Sequence, residues 1–186
     1  MNIDPSSLML VDAILPIDRS APFAINTIDT GYRATEYVIV SEDPTALALA
    51  SIDLSKVVIT DILDILQGEA AKVNEILAQN IARIKSEGGV FLDAKVLGAL
   101  LANPKLIPIG WASFADADGA NTADIEFLGT TLQEIATGEL QYFRLGFNRG
   151  VWSYHYTPTT YSDEQIASFA EYPTVRLRRL AAVLMK

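Results

Sequence analysis

Residues 139–157 constrain the fold more than any other stretch of this chain. They read ELQYFRLGF, then Asn148-Arg149, then GVWSYHYT. The alternation and the aromatic content predict two strands, and Asn and Gly supply the chemistry of a tight turn. Along the second strand Trp152, Tyr154 and Tyr156 must share one face, with Val151, Ser153, His155 and Thr157 on the other. A hairpin of this kind belongs to a larger sheet, and the sheet needs a layer to cover it.

The expected cover is one long amphipathic helix over about 61–86. Apolar residues fall at Ile62, Leu66, Ala70, Val73, Leu77, Ile81 and Ile84, the spacing of a single helical face. Thr60 is the expected cap and Gly88-Gly89 the expected stop. Gly68 lies inside this stretch, costs roughly 1 kcal/mol relative to Ala, and marks a kink or a close crossing.

The remaining elements are shorter. Asp4, Pro5 and the Ile3/Leu8 pair favour an opening helix over a strand across 8–15. Residues 16–35 read as an extended connection, 36–40 (EYVIV) as a buried strand, and 46–52 as either a strand or a short helix. Asp93 caps a predicted helix over 94–102, which Asn103-Pro104 ends. Residues 106–114 read as an irregular or edge strand, 125–128 as a strand, and 130–137 as a short helix or turn. Ser162 and Gln165 form a capping box for a helix that Pro173 ends. Residues 175–184 fit a strand or a helix. The fold class is therefore α+β: a mixed or antiparallel sheet, the long helix and the C-terminal hairpin. It forms one domain over 1–186, with a weak point of subdivision near 88–104.

Composition narrows the chemistry. Half of the 186 residues are hydrophobic, cysteine is absent and there is one histidine. Thiolate nucleophiles, zinc fingers and iron–sulfur clusters are excluded, as is any single-chain metal site that needs two histidines. The apolar runs are far shorter than a membrane span requires, and the N-terminus lacks the basic start of a secretory signal. A soluble protein without membrane insertion is expected, cytoplasmic or in a virion. Charge is unevenly placed. Residues 1–138 carry 8 bases and 19 acids, a net of −11, and residues 139–186 carry 6 bases and 4 acids, a net of +2. An acidic body repels phosphate backbones, so nucleic acid is not an expected partner. Arg176, Arg178 and Arg179 make the basic C-terminus, either a solvated face or a contact with an acidic surface on this chain or another copy.

Four groups are candidates for chemistry. The loop of Asp116, Asp118 and Asp124 has the oxygen-rich outline of a calcium site. In EF-hand register, however, Phe114 and Ile125 would occupy the first and twelfth positions, and neither can coordinate. Such a loop is ordinarily an exposed polar turn, and no cofactor is expected beyond that candidate Ca²⁺. The row Trp152, Tyr154 and Tyr156 either faces the core or grips a protein or a sugar ring. Ser153 and His155 share a strand face, but nothing marks Ser153 as a nucleophile. The acids Glu42-Asp43, Asp61/Asp64 and Asp163-Glu164 are sequence neighbours, and a helix N-terminus suffices to explain the last two groups.

Nucleotide-binding and zinc-protease motifs are missing, and so is an N-x-S/T sequon. The expected function is a non-catalytic structural or interaction subunit of a homo- or hetero-oligomeric assembly, such as a phage head, neck or tail component. Its partners would be copies of itself or other assembly subunits. The expected interface residues are Trp152, Tyr154, Tyr156, Arg176, Arg178 and Arg179. The alternative is a ligand-binding module, carbohydrate-directed, using the aromatic face and the cation loop.

Overall fold

A computed structural model describes residues 14–20, 23, 28–29, 34–114, 125–148, 150–169, 171–174 and 176–185. In chain order its elements are β1 (Ile14–Pro16), β2 (Ile28–Asp29), β3 (Ala34–Thr35), β4 (Tyr37–Glu42), α1 (Pro44–Leu47), β5 (Ser51–Asp53), β6 (Val57–Leu66) and α2 (Val73–Ser86). There follow β7 (Val90–Phe91), α3 (Ala94–Ala102), β8 (Ile125–Glu134), β9 (Leu140–Asn148), β10 (Val151–Pro158), α4 (Asp163–Phe169) and β11 (Arg176–Leu184). The class is α+β, as expected. The opening helix expected near Asp4 lies outside the described residues.

Among the described residues the main sheet has seven strands. Its path is β10-β9-β8-β11-β6, with β4 added to β8 and β7 to β11. Among the described residues the β11–β8 pairing is the only parallel one in this sheet; the rest are antiparallel. β8 holds the sheet together because it serves different neighbours along its length. Ile125 and Glu126 pair with β11, whereas the stretch from Thr130 to Glu134 pairs with β4. Its register against β9 shifts between Phe127 and Thr131, and Gly129 sits at that break. The Gly129 N–H donates to the Leu92 carbonyl at 2.9 Å, and its own carbonyl accepts from Asp43 N–H at 2.8 Å. A Cβ there would stand 2.7 Å from the Phe91 carbonyl oxygen, so the close approach requires glycine.

Each face of the sheet buries its own apolar cluster. On one face, α3 contributes Val96, Leu97 and Leu100, which pack with Phe127, Leu132, Phe143, Leu145 and Trp111. On the other, α2 lays Val73, Leu77 and Ile84 against Ile62, Leu63, Ile65, Ala181 and Val183. Side chains of this size each contribute about 1.5–3 kcal/mol on full burial. α3 is anchored by Asp93, a fully buried N-cap that accepts from Val96 N–H at 3.0 Å. Its charge is met by the Arg19 guanidinium, which also donates to the Leu49 and Ala46 carbonyls.

The long helix does not start where its spacing suggested. Asp61–Leu66 belongs to β6, and a 3-10 stretch, Gln67–Lys72, leads into α2 at Val73. The pairing of β6 with β11 skips Ile62, which makes a bulge between Asp61 and Leu63. The bulge turns Ile62 and Leu63 to the same apolar cluster, and so breaks the period of 2 that would have marked a strand. Gly68 is consequently no mid-helix kink. It donates to the Pro173 carbonyl at 3.0 Å, and a Cβ would lie 3.2 Å from that oxygen.

Two further regions differ from the expectations. Residues 106–114 form 3-10 turns, Pro104–Leu106 and Ile109–Phe114; prolines 104 and 108 cannot donate to a ladder, and the Pro108 carbonyl instead accepts from Trp111 N–H at 2.9 Å. The short helix or turn expected at 130–137 is instead the continuation of β8 to Glu134, followed by a turn. The two readings left open are now decided: 46–52 holds the end of α1 and the start of β5, and 175–184 is the strand β11.

Candidate interaction site

The hairpin forms as its sequence implies. β9 and β10 pair from Val151↔Asn148 to Pro158↔Gln141. Trp152, Tyr154 and Tyr156 all turn toward the α3-side cluster and are half-buried against it. Tyr156 stands 4.1 Å from Tyr37 between ring centroids and 5.5 Å from Phe143, and Trp152 stands 4.6 Å from Phe147. Burial pushes the Tyr156 hydroxyl far above the ordinary phenol range. The row is thus the outer margin of the core, and its rings keep partial exposure.

The opposite face of the hairpin is polar. Ser153 Oγ lies 3.2 Å from His155 Nε2. Across the sheet, His155 is in register with Arg144, and Arg144 with Glu126. Glu126 binds Arg179 of β11 through two hydrogen bonds, at 2.6 and 2.7 Å, with both side chains 4% exposed. The Arg179 guanidinium carbon also sits 5.6 Å from the centre of the Tyr161 ring. Burial opposes charging of Arg179, but its hydrogen bonds with Glu126 outweigh that and hold its pKa above the usual value. The sequence did not single out Arg144, nor Glu126 as a partner for Arg179. The available signal was an acid inside the apolar run 125–128 and a base inside 142–147.

The other two arginines lie on the α3 side of β11, beyond the covered core. Arg176 pairs with Asp64, and Arg178 with Asp61 at 2.5 and 3.2 Å. The basic C-terminal strand therefore meets its acids on this same chain. Asp61 and Asp64 lie in a strand and are not held by a helix N-terminus. Arg176 holds the Asp64 carboxyl below its ordinary range through a direct hydrogen bond. Asp43 caps α1 and bonds Lys85 at 3.1 Å, while Asp163 and Glu164 occupy the first turn of α4.

The cation-loop residues Asp116, Asp118 and Asp124 lie outside the described residues. Among the described residues, no group of three or more acidic or histidine side chains converges as a metal site, and no helix is long and apolar enough to cross a membrane. A groove of about 410 Å³ opens between α2 and the hairpin, lined by Leu77, Ala78, Ile81, Tyr142 and Thr159 among others.

The sheet ends matter most for interactions. In the main sheet, β10, β6 and β4 each hydrogen-bond to one neighbouring strand among the described residues. β6 carries Asp61 and Asp64, and β4 ends in Glu42. β10 carries no Asp, Glu, Lys or Arg. Natural sheets ordinarily protect such an edge with charge, proline, a bulge or a covering segment; within β10 itself, Pro158 at the strand's end is such a device. Comparison with known protein families, curated proteins and solved structures finds no match to this chain.

Proposed function

We propose that this chain is a non-catalytic interaction subunit that assembles with copies of itself through the β10 edge of its sheet. One observation carries the reading: an eight-residue, aromatic strand without Asp, Glu, Lys or Arg that, among the described residues, pairs with one neighbouring strand. A strand edge of this kind adds a further strand with little desolvation of charge. The half-buried rings of Trp152, Tyr154 and Tyr156 gain aromatic neighbours when the sheet is continued. The arginines add little to this route, because Arg176, Arg178 and Arg179 already engage Asp64, Asp61 and Glu126. No feature of the fold speaks for a virion in particular, so the proposal stops at the assembly class.

Size-exclusion chromatography with light scattering, across protein concentration and ionic strength, tests the reading. An oligomer whose mass holds as salt is raised supports it, since backbone pairing and ring burial are not screened. A monomer at every concentration overturns it. An oligomer that salt dissolves places the contact on charged surfaces and overturns the β10 route.

A further inference from the structure

We infer that residues 14–20 are a releasable strap, latched by Arg19 on the buried Asp93, and that the strap opens while the seven-stranded sheet stays folded. This device is separate from the β10 contact and uses none of its groups.

Little main chain holds the strap. β1 pairs with β5 over three residues, Ile14↔Asp53, Leu15↔Ile52 and Pro16↔Ser51, in a two-stranded ladder apart from the main sheet. Ile17 N–H adds a bond to the Ala50 carbonyl at 2.9 Å. Two strands this short are marginal in water by themselves. Leu15 and Ile17, on one side of the strap, are buried in the α3-side cluster, whereas Ile14, Pro16 and Asp18 on the other side are exposed.

Arg19 supplies the hold that the ladder lacks. Its Nε donates to the Leu49 carbonyl at 3.0 Å and its Nη2 to the Ala46 carbonyl of α1 at 2.8 Å, while Nη1 binds Asp93. Asp93 is fully buried, and its other oxygen caps α3 by accepting from Val96 N–H at 3.0 Å. In the same turn Ala94 N–H donates to the buried Thr130 Oγ1 at 3.0 Å. One guanidinium thus ties together the strap, α1 and the first turn of α3. Withdrawing it leaves a buried carboxylate without its cation, which is costly. The strap and the α3 N-terminus therefore loosen together.

Anchors beyond these bound the opening. The Phe23 ring lies 5.0 Å from the Phe143 ring and packs on Gly98 of α3, where a Cβ would stand 2.9 Å from it. Val96, Leu97 and Leu100 hold the body of α3 in the cluster that includes Phe127, Phe143 and Leu145. Opening therefore ends before Phe23 and reaches no further than the first turn of α3. A local event of this kind has a lower free energy than global unfolding.

Amide hydrogen exchange of the full chain, resolved residue by residue, tests the latch. In R19M the Ile17, Ala94 and Val96 amides should exchange about 10- to 100-fold faster than in the parent, the range for losing a hydrogen bond to a charged group. The β9–β10 ladder should keep its rates. Asn in place of Asp93 still caps a helix but carries no charge, so R19M/D93N should regain part of the protection at Ala94 and Val96. R19K keeps a cation for Asp93 without the planar fork, and should fall between the parent and R19M. If R19M does not fold, R19K against the parent carries the same comparison. Unchanged exchange at Ile17 and Val96 overturns the latch. Equal acceleration in the hairpin shows that the strap opens only with the whole fold, and overturns the separate device. A double variant no better protected than R19M shows that the charge pair is not what holds the strap, and overturns the role of Asp93.

Discussion

Arg179 and Glu126 form a bidentate ion pair inside the protein, 53 residues apart in the chain and at 2.6 and 2.7 Å in space. The pair joins β11 to β8 at the point where their short parallel contact begins. Two charges at 4% exposure each bear a large desolvation cost, which their mutual hydrogen bonds offset only while both are present. Arg179→Met leaves the Glu126 carboxylate buried without its guanidinium and should destabilise the fold by about 3–5 kcal/mol. The double variant Arg179→Met/Glu126→Leu should recover part of that loss. Denaturant unfolding of the four corners of the cycle checks this; a double variant less stable than both single ones would refute it.

Arg176 and Arg178 should behave differently. Arg176 is 63% exposed and Arg178 39%, and water screens their pairs with Asp64 and Asp61. Arg176→Ala or Arg178→Ala should each cost no more than about 1 kcal/mol. Neither should change the oligomeric mass in light scattering, because the proposed contact lies at β10, at the opposite end of the strand order from β6. A loss of assembly in either variant would bring the basic strand back as the interface.

The sequence made local structure readable where one period ran unbroken. The hairpin, the Asp93 cap and the Ser162/Gln165 capping box all stand as read, the last with Ser162 N–H donating to Gln165 at 2.9 Å and Gln165 N–H to Ser162 at 3.2 Å. It misled where tertiary pairing introduced an irregularity. The bulge at Ile62 made a strand imitate the start of a helix, and Gly129 hid the continuity of β8 behind what looked like a break. The role of the arginines was open for a different reason. Charge counts along a chain carry no information about which acid lies opposite which base, and the register of β11 against β6 and β8 decides it.

Gly129→Ala tests whether the β8 break is as crowded as its geometry implies. The added Cβ would meet the Phe91 carbonyl oxygen at 2.7 Å and Leu92 main-chain atoms at 2.9 Å. Those atoms belong to the end of β7 and to Leu92, which joins it to the Asp93 cap of α3, so they cannot yield without disturbing that cap. A loss of about 1–3 kcal/mol is expected, the range for overpacking a filled interior. Gly110→Ala is the control, since among the described residues no atom lies within 4 Å of a Cβ there. Equal melting temperatures for the two variants would contradict the close approach.

Acid should unfold this protein through identifiable carboxylates. The Asp64 carboxyl is held below its ordinary value of 3.8 chiefly by the hydrogen bond from Arg176. At Asp43 burial raises the pKa, but the hydrogen bonds from Lys85 and from Thr45 N–H prevail, and the net shift is also downward. A carboxylate whose pKa is lower folded than unfolded binds fewer protons in the native state. Its stabilisation is complete above the unfolded value of about 4, and it is lost as pH falls through the lower folded value. Unfolding free energy measured in urea should therefore be flat near neutrality with respect to these two groups and decline below about pH 4. Asp64→Asn should remove part of that decline while lowering stability at pH 7 only slightly, because the pair is exposed and screened. An acid limb as steep in Asp64→Asn as in the parent would show that the Arg176 pair does not contribute to it.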